Sequence, residues 1–536
     1  MNQGKKKSAV LKGMLLSAAG IATALTTSVV MAAPTGQAVV RTKCQACHAP
    51  LEAGGWSRIS ESRRTPEGWD MTVARMMYSH GVKLTAPERQ AVVKYLADTQ
   101  GLAPDETSGY RYALERRSSV VEHFDNQKVG ETCARCHSYS RIALQRRSED
   151  DWRRLSHFHV GQFPVIEIQA GGRDRDWWEI ASKEVPALLG KEKPLVSKSW
   201  EGWKKRGASD ASGVWRVSGH RPGVGDYEGK ATIKALGEDR YDIELTMQYG
   251  DGRVEKSTGT SVIYTGYEWR GAVKQGGIDV RQVFALTADG NHMSGRWFAT
   301  DTEALGGDFS AIRVAGQTEI LSVSPTMIKA GETAKITING VGLNGDVKFD
   351  NGVTVNKILS RTDEKVVVEI KADASANTAY SVVSIGSGSL AKSFAVYKKI
   401  DFVDIVPGNP MARVGGNGGT RPKVPVQLEA IAYSAGADGK KNTADDIRLG
   451  PVSANWKIGN LNKGAEEMKD AKYAGVIDGS GLFSPADAGP NPNRKYGTNN
   501  AGELRAFATV KDGASTVNSS VPLVVTVQRW NDPPIY

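Results

Sequence analysis

The pentapeptide CQACH at residues 44–48 recurs as CARCH at residues 133–137, and the two copies contain all four cysteines of the chain. Two cysteines separated by two residues and followed directly by a histidine are typical of covalent c-type haem attachment, in which the histidine is the proximal iron ligand. A disulfide pair or a four-cysteine zinc site would not explain a histidine after both pairs. The sequence therefore predicts two c-type haems, attached at Cys44, Cys47, Cys133 and Cys136, with His48 and His137 as proximal ligands.

Helical periodicity is clearest around these motifs. After the first motif, Pro66 begins a predicted helix with Trp69 on its apolar face, Gly81 ends it, and a second helix follows from Pro87 through Leu96. After the second motif, Asp150 and Asp151 begin a helix that contains Trp152 and Leu155 and ends at Gly161 and Pro164. This layout is that of a small cytochrome c, so we predict two α-helical cytochrome c halves, a first half at 33–115 and a second half at 116–194.

The two halves can be superimposed through Trp69 and Trp152, which suggests the distal iron ligands. Seven residues after each tryptophan stand Met76 and His159. Methionine ligation raises a haem potential relative to two histidines, so we predict that electrons run from the second haem to the first. The alternatives left open are Met77 and His80 for Met76, His157 for His159, and His123, which lies ten residues before Cys133.

The first residues resemble a secretory signal peptide. Four lysines precede an apolar stretch, about residues 14–31, that ends in small residues, so we predict cleavage after Ala32 and a periplasmic mature chain. An uncleaved anchor is the alternative, but the apolar core is short for a membrane span, and no later stretch reaches that length. The formal charge of +10 includes the signal lysines and is too weak to predict nucleic-acid binding. The lysines are Lys5, Lys6, Lys7 and Lys12.

Beyond about residue 195 the sequence changes to short alternating runs bounded by glycine and aspartate. At least six such runs predict an antiparallel β-barrel at 195–316. Residues 317–398 resemble the immunoglobulin-like domains called IPT or TIG domains, and 399–536 predict a second β-sandwich. The loop 436–446 carries several oxygen side chains, but it lacks the spacing of an EF-hand, so we expect a solvated hairpin tip and no calcium.

This order of domains, with the residues around Trp69–His80 and Trp152–Pro164, resembles the large (alpha) subunits of quinohemoprotein amine dehydrogenases over essentially the full length. The resemblance implies a heterotrimer with a propeller-type beta subunit and a small gamma subunit, which holds a quinone made from its own tryptophan and cysteine. Primary amines would be oxidised there to aldehydes and ammonia. This chain would pass the electrons to a periplasmic cupredoxin or soluble cytochrome c.

The residues fit such a relay, because no cysteine remains for a quinone cross-link and no nucleophile elbow, phosphate loop or paired zinc histidines occur. We interpret His220 and His292, isolated in the β region, as structural, and we expect the β domains to hold partner subunits. Two other functions remain open. A diheme peroxidase-like enzyme would need an open sixth iron position. A stand-alone electron-transfer protein would use its β domains as adhesive modules.

Overall fold

The N-terminal third of the chain is helical and the rest is built mostly from antiparallel sheets, which confirms the predicted order of an α region followed by a β region. Two strand pairs of the β region are parallel, and two short helices lie in its last domain. The computed structural model describes residues 35–117, 119–164, 166, 174–207, 209–417 and 421–527. The predicted signal peptide, residues 1–32, lies outside the described residues. In the part of the chain that the structure describes, no helix is long and apolar enough to cross a membrane.

The two halves of the helical region repeat one local design. The long helix of the first half follows Thr65, whose side chain accepts a hydrogen bond from Gly68, and that of the second half follows Ser148, which accepts one from Asp151. Such N-caps satisfy amide groups that the first turn leaves free. The elements of the first half are α1 (Gly36–Val39), β1 (Ser62–Arg64), α2 (Pro66–His80), α3 (Ala86–Thr99), α4 (Pro104–Thr107) and α5 (Arg111–Leu114).

The second half and the link to the barrel contain α6 (Gln127–Cys133), α7 (Ser140–Ala143), β2 (Gln145–Arg147), α8 (Glu149–Gln162), α9 (Trp177–Glu179), α10 (Val185–Glu192) and α11 (Lys198–Lys204). Strands β1 and β2 pair antiparallel, with Arg63 opposite Arg146, and this two-stranded ribbon joins the halves. Trp69 and Trp152 both lie four residues after their N-caps and are buried in separate cores. Gly81, in the left-handed conformation at φ 70°, ends α2 as the sequence predicts.

The predicted barrel is confirmed, and it is a closed barrel of eight strands. The alternation is complete in Arg240–Tyr249, where every second side chain is buried in the interior. The sequence analysis did not identify the last strand, which begins with two glycines and closes the barrel between the first and seventh strands. The strands are β3 (Gly213–Arg221), β4 (Gly225–Gly237), β5 (Arg240–Tyr249), β6 (Val254–Tyr264), β7 (Glu268–Gln275), β8 (Ile278–Leu286), β9 (His292–Ala299) and β10 (Gly306–Arg313).

The next domain consists of two four-stranded sheets around one apolar core. One sheet has the order β11-β13-β16-β15 and the other the order β12-β18-β17-β14. Ile338 and Val368 from the first sheet meet Val383 and Phe394 from the second in this core. The strands are β11 (Glu319–Ser324), β12 (Met327–Lys329), β13 (Thr333–Val341), β14 (Val347–Phe349), β15 (Val353–Arg361), β16 (Lys365–Ala372), β17 (Ala379–Ile385) and β18 (Gly388–Tyr397).

In its described residues, 399–417 and 421–527, the C-terminal domain contains three sheets, two short α-helices and one 3-10 turn around a second large apolar core. In the loop 436–446, Asp445 accepts hydrogen bonds from the amides of Ala437 and Asp438 and from the hydroxyl of Thr443, so its carboxylate holds the turn. The elements are β19 (Phe402–Val406), β20 (Met411–Arg413), β21 (Val426–Gln427), β22 (Glu429–Ser434), β23 (Ile447–Val452), β24 (Asn455–Asn460), α12 (Lys463–Met468), α13 (Asp470–Tyr473), β25 (Gly475–Ile477), β26 (Leu482–Pro485), β27 (Gly502–Asp512) and β28 (Ser515–Thr526).

The turn between β6 and β7 fixes the first half to the rim of the barrel. The amide of Thr265 donates to Asp98 at 2.8 Å, and the hydroxyls of Thr107 and Tyr267 are 2.9 Å apart. Arg270 pairs with Glu67, in the first turn of α2, at 2.5 Å. A carboxylate at that end of a helix also interacts favourably with the helix dipole. The barrel therefore orients α2, the helix that carries Met76 and Met77.

Candidate haem sites

The first Cys-x-x-Cys-His segment forms a tight turn, and the second begins at the end of α6. All four cysteines are free thiols. In the first, the amides of Cys47 and His48 donate to the carbonyl of Cys44 at 3.1 and 3.0 Å. This turn places the two sulfurs and the imidazole on neighbouring positions of one segment. In the second, burial and the nearby Cys136 raise the pKa of Cys133 to about 12, so this thiol is protonated at neutral pH.

The second half brings His137 and His159 together. Their ring centroids are 6.4 Å apart with a tilt of 41° between the rings. The Nδ1 atom of His137 lies 2.9 Å from the carbonyl oxygen of Ser138, and that of His159 lies 2.7 Å from the carbonyl oxygen of Leu155. Each ring therefore donates through Nδ1 and retains Nε2 as the nitrogen available to a metal, an arrangement typical of metal-binding histidines.

The spacing of this pair fits one metal ion between two imidazoles. A metal–nitrogen bond to histidine is about 2 Å long, and the nitrogen lies roughly 1 Å from the ring centre, so two axial imidazoles have centroids about 6 Å apart. Burial lowers the pKa of both histidines, and the charge of Arg141 lowers both further. The neutral imidazole, which is the form that binds metals, is therefore favoured.

The first half presents a histidine and two methionines. The Nδ1 atom of His48 lies 2.9 Å from the carbonyl oxygen of Ser57. Met76 and Met77 are both half-buried on α2, and Met77 packs against the apolar core that also includes Cys44. His80, the third alternative, is exposed at the end of the same helix. The geometry of this half does not separate Met76 from Met77.

The two remaining histidine candidates lie away from this pair. His157 is exposed and its ring contacts Trp178 edge-on, with centroids 4.9 Å apart. His123 is exposed in the loop that precedes α6. Because helical neighbours two positions apart point in different directions, His157 does not lie on the side of α8 that His159 presents to His137.

A buried ion cluster joins the two halves behind these sites. Arg63, in β1, donates two hydrogen bonds to Glu106 at 2.7 and 2.9 Å, and Arg146, in β2, donates a third at 3.1 Å. Burial disfavours the Glu106 carboxylate, but the hydrogen bond from Arg63 and the charges of Arg146 and Arg63 outweigh it and hold the pKa of Glu106 at about 2. We name Arg63, Glu106 and Arg146 the central ion cluster.

Sequence reasoning missed the central ion cluster and the carbonyls that orient the histidines. Nothing in the sequence around Glu106 indicates that its side chain is buried, since it stands in a polar turn after Pro104. The arginine members of the cluster could have been found from the sequence, because each belongs to an Arg-Arg pair that repeats in the two halves. Arg63-Arg64 and Arg146-Arg147 precede the N-caps Thr65 and Ser148 at the same spacing, as the superposition of the tryptophans also requires.

Comparison with known proteins assigns a family to every domain described above. Residues 34–200 match the model for the haem-binding domain of the quinohemoprotein amine dehydrogenase alpha subunit. Residues 208–314, 317–398 and 403–535 match domains II, III and IV of the same subunit. A search of curated proteins found no match.

Several solved structures are similar to parts of this chain at low identity. A redesigned β-barrel is 14% identical, covers 20% of this chain and 97% of its own length, and has a TM-score of 0.18. SGBP-B of the Bacteroides ovatus mixed-linkage glucan utilization locus is 9% identical, with 60% of this chain and 65% of that chain covered and a TM-score of 0.19. The S-layer protein SbsC, domains 5–6, is 14% identical over 40% of this chain and 98% of its own, with a TM-score of 0.15.

These likenesses carry no functional information, whereas the four family matches span the chain from residue 34 to residue 535 and include both Cys-x-x-Cys-His segments. The first of them is a haem-binding domain, and the family is a subunit of an oxidoreductase complex. The chain belongs to the family of quinohemoprotein amine dehydrogenase alpha subunits.

Proposed function

We propose that this chain is the diheme electron-transfer subunit of a periplasmic amine dehydrogenase. It accepts electrons from a tryptophan-derived quinone in a small gamma subunit, where primary amines are oxidised to aldehydes and ammonia. It delivers them to a periplasmic cupredoxin or soluble cytochrome c. The observation that carries the proposal is the match of residues 34–200, which contain both haem motifs, to the family's haem-binding domain.

Two c-type haems are held in this proposal by Cys44 and Cys47 and by Cys133 and Cys136. Each of these thiols would hold its haem through a thioether bond to a vinyl group. His48 and His137 are the proximal ligands. Met76, with Met77 and His80 as alternatives, and His159, with His157 as alternative, are the distal ligands. A bound haem supplies one-electron chemistry at its iron.

The protein's contribution at the second site is orientation. The carbonyls of Ser138 and Leu155 hold the Nδ1–H of His137 and His159, so the orientation of both rings is fixed and Nε2 of each stays available as a ligand. In the first half the carbonyl of Ser57 acts on His48 in the same way. Ligands held in this manner need little rearrangement when the iron changes charge, and electron transfer benefits from that rigidity.

The amine-oxidising site belongs to a partner chain in this proposal, because both Cys-x-x-Cys pairs are used for haem and no cysteine is left for a quinone cross-link. The barrel, the third domain as an immunoglobulin-like sandwich of the IPT kind, and the C-terminal domain as a second sandwich would hold the propeller-type beta subunit and the gamma subunit. The predicted signal peptide and the extracytoplasmic chemistry of haem attachment support a periplasmic location.

The test is amine-dependent reduction in the native preparation. A primary amine added without oxygen is expected to reduce the haems, seen as growth of the reduced alpha absorption band, when the small partner chains are present. This chain purified alone is expected not to respond, because it lacks the quinone. Haem-loaded complex that no amine reduces would contradict the proposal. Reaction with peroxide would then indicate a peroxidase-like enzyme, and purification as a single chain a stand-alone electron carrier.

A pair of leucine variants tests the second iron site. His159→Leu removes the distal nitrogen and is expected to convert one of the two haems to a high-spin form, visible by absorption and electron paramagnetic resonance. His157→Leu is the matched control on the same helix, and its spectra are expected to equal those of the unmodified protein. The reverse result, with the spectral change in His157→Leu alone, would exclude His159 as the ligand.

A further inference from the structure

Three arginines meet where the two halves of the helical region face each other. Arg64 lies on β1 and donates from Nη1 to Thr72 at 2.7 Å. Arg75 lies on α2, with its Cζ atom 4.7 Å from the ring centroid of Phe158 on α8. Arg141 lies on α7 and donates from Nη2 to the sulfur of Met71 on α2 at 3.2 Å. We name Arg64, Arg75 and Arg141 the interface arginines.

The interface arginines differ from their neighbours in having no carboxylate partner within the described ranges of the chain. Other arginines of the same region are neutralised. Arg63 and Arg146 share Glu106, Arg147 pairs with Asp151, and Arg154 pairs with Glu61. On the exposed side of α8, Arg153 pairs with both Glu149 and Asp150. None of the interface arginines thus forms an ion pair with a carboxylate of the described residues, and only Asp151, the partner of Arg147, offsets the charge of Arg64 from a longer distance.

The internal repeat explains why Arg64 lacks a carboxylate partner. Arg147 occupies in the second half the position that Arg64 occupies in the first, and its partner Asp151 corresponds to Gly68. A Cβ atom at Gly68 would lie only 3.0 Å from the Cβ atom of Arg64, so a carboxylate side chain there would crowd the arginine that it neutralised. The second half thus has a carboxylate beside its arginine, whereas the first half has a glycine at the matching position.

The charge of the interface arginines indicates what kind of ligand they would bind. Burial lowers the pKa of Arg64 well below its ordinary value, and the charges of Arg147, Arg75 and Arg141 lower it further, while Asp151 opposes them only in part. Like charges repel one another most strongly where water is excluded. Arg64 and Arg75 are half-buried, whereas Arg141 is exposed and water screens part of its charge. A ligand that brings carboxylates would relieve it, because guanidinium groups bind carboxylates through paired, charge-assisted hydrogen bonds.

The interface arginines lie beside the His137–His159 pair. Arg141 is four residues after His137, and the ring of Phe158, against which Arg75 packs, is 6.1 Å from the ring of His159. The cations thus approach the second iron site from both halves.

We propose that Arg64, Arg75 and Arg141 bind the two propionate carboxylates of the second haem, an inference that rests on the proposed attachment of a haem at Cys133 and Cys136. Arginine binding keeps these carboxylates ionised, and the positive charge beside the site raises the midpoint potential. Because the arginines come from both halves, the same contacts fix the second haem relative to α2, the helix of the first site.

The test is a redox titration of the haem-loaded chain with Arg141→Gln and, separately, Arg75→Gln, from about pH 5 to about pH 8. Each variant is expected to shift the potential of the bis-histidine haem downward and to leave the other haem nearly unchanged. The shifted potential is also expected to become pH-dependent at the acid end, where an ordinary carboxyl group begins to protonate. Arg141→Lys, which keeps the charge, is expected to retain most of the original potential.

Arg153→Gln is the matched control, since it removes an arginine of α8 whose charge is already compensated. The pyridine haemochrome assay is expected to find two haems. If it does, and the potentials of Arg75→Gln and Arg141→Gln equal those of the control, the assignment is overturned and the proposed function is left intact. The same equality with weaker binding of an acidic electron acceptor would assign the arginines to docking instead. A chain with no haem at Cys133 and Cys136 would refute the proposed function and this inference together.

Discussion

Replacing Glu106 by glutamine is expected to lower the free energy of unfolding of the helical region by about 3–5 kcal/mol, the usual cost of removing one member of a buried ion pair. The glutamine would leave Arg63 and Arg146, both buried, facing each other across the β1–β2 ribbon without a counter-charge. Urea unfolding followed by the helical far-UV circular dichroism signal measures the change, because the longer helices all precede the barrel.

The same group predicts a specific acid response. The pKa of Glu106 is held at about 2 against an ordinary value of 4.5, so its contribution to stability is present above about pH 4.5. That contribution is lost as the pH falls through the folded-state value. The unmodified helical region is therefore expected to lose stability between about pH 4.5 and pH 2, and Glu106→Gln is expected to show a flatter response there.

Glu149→Gln provides the control for Glu106, because Glu149 pairs with Arg153 on the exposed side of α8. Exposed pairs contribute little, so a change of no more than about 0.5 kcal/mol is expected. Equal effects of the two substitutions would show that the central ion cluster does not hold the halves together. Replacing Glu106, Arg63 and Arg146 together by apolar residues of similar size should recover part of the loss, since no charge then stays buried without a partner.

The second large effect is expected at His220, where three β domains meet. Its Nδ1 atom lies 2.6 Å from Asp226 of β4, and its Nε2 atom lies 2.7 Å from Glu429 of the C-terminal domain. Ser324 of the third domain donates to the other oxygen of Asp226 at 2.7 Å. His220→Gln removes the cation between two carboxylates and is expected to destabilise the β domains by about 2–3 kcal/mol, allowing for the partial exposure of Asp226.

The pH dependence of this contact has the opposite sign to that of Glu106. Burial disfavours the charge on His220, but the hydrogen bonds to Asp226 and Glu429 outweigh burial and raise the pKa of His220 to about 10. A group with a raised pKa contributes stability that is fully present below its ordinary pKa, which is 6.5 for histidine. That stability is lost as the pH rises through the folded-state value of about 10. The unmodified protein is expected to show this alkaline loss, and His220→Gln is expected to lack it.

His292→Gln is the matched comparison for His220, since His292 contacts a single carboxylate, Glu319, and both side chains are more than a third exposed. We expect a change below about 1 kcal/mol there. Urea midpoints at pH 7 and pH 10, followed by tryptophan fluorescence of the barrel, distinguish the two positions. Identical midpoints for both variants at neutral pH would contradict the assignment of His220 as the ionic contact between domains.

The local pattern of the sequence determined most of the architecture. Both haem motifs, the helices that follow Thr65 and Ser148, and the strands that alternate as Arg240–Tyr249 does were all predictable, because capping and side-chain periodicity act over a few neighbouring residues. Strand β10 was the exception in the barrel. Its opening pair, Gly306 and Gly307, weakens the alternation, and only closure of the barrel gives the strand its two partners.

Helical spacing in the sequence predicted the positions of the distal ligands only to within a few residues. The superposition through Trp69 and Trp152 proposed His159, but separating it from His157 depends on which side of α8 faces His137, and that follows from the packing of two segments distant in sequence. In the first half the same spacing leaves Met76 and Met77 as neighbours, and both are half-buried. The choice between them remains a prediction.

The sequence by itself determined the cofactor motifs, the repeat of the two halves and the order of α and β regions, because each is written in residues close together along the chain. Only the tertiary structure decided which charges meet. Glu106 lies between arginines 43 residues before it and 40 after it, and His220 contacts Glu429 across 209 residues. Such pairings depend on how whole elements pack, so no local pattern specifies them.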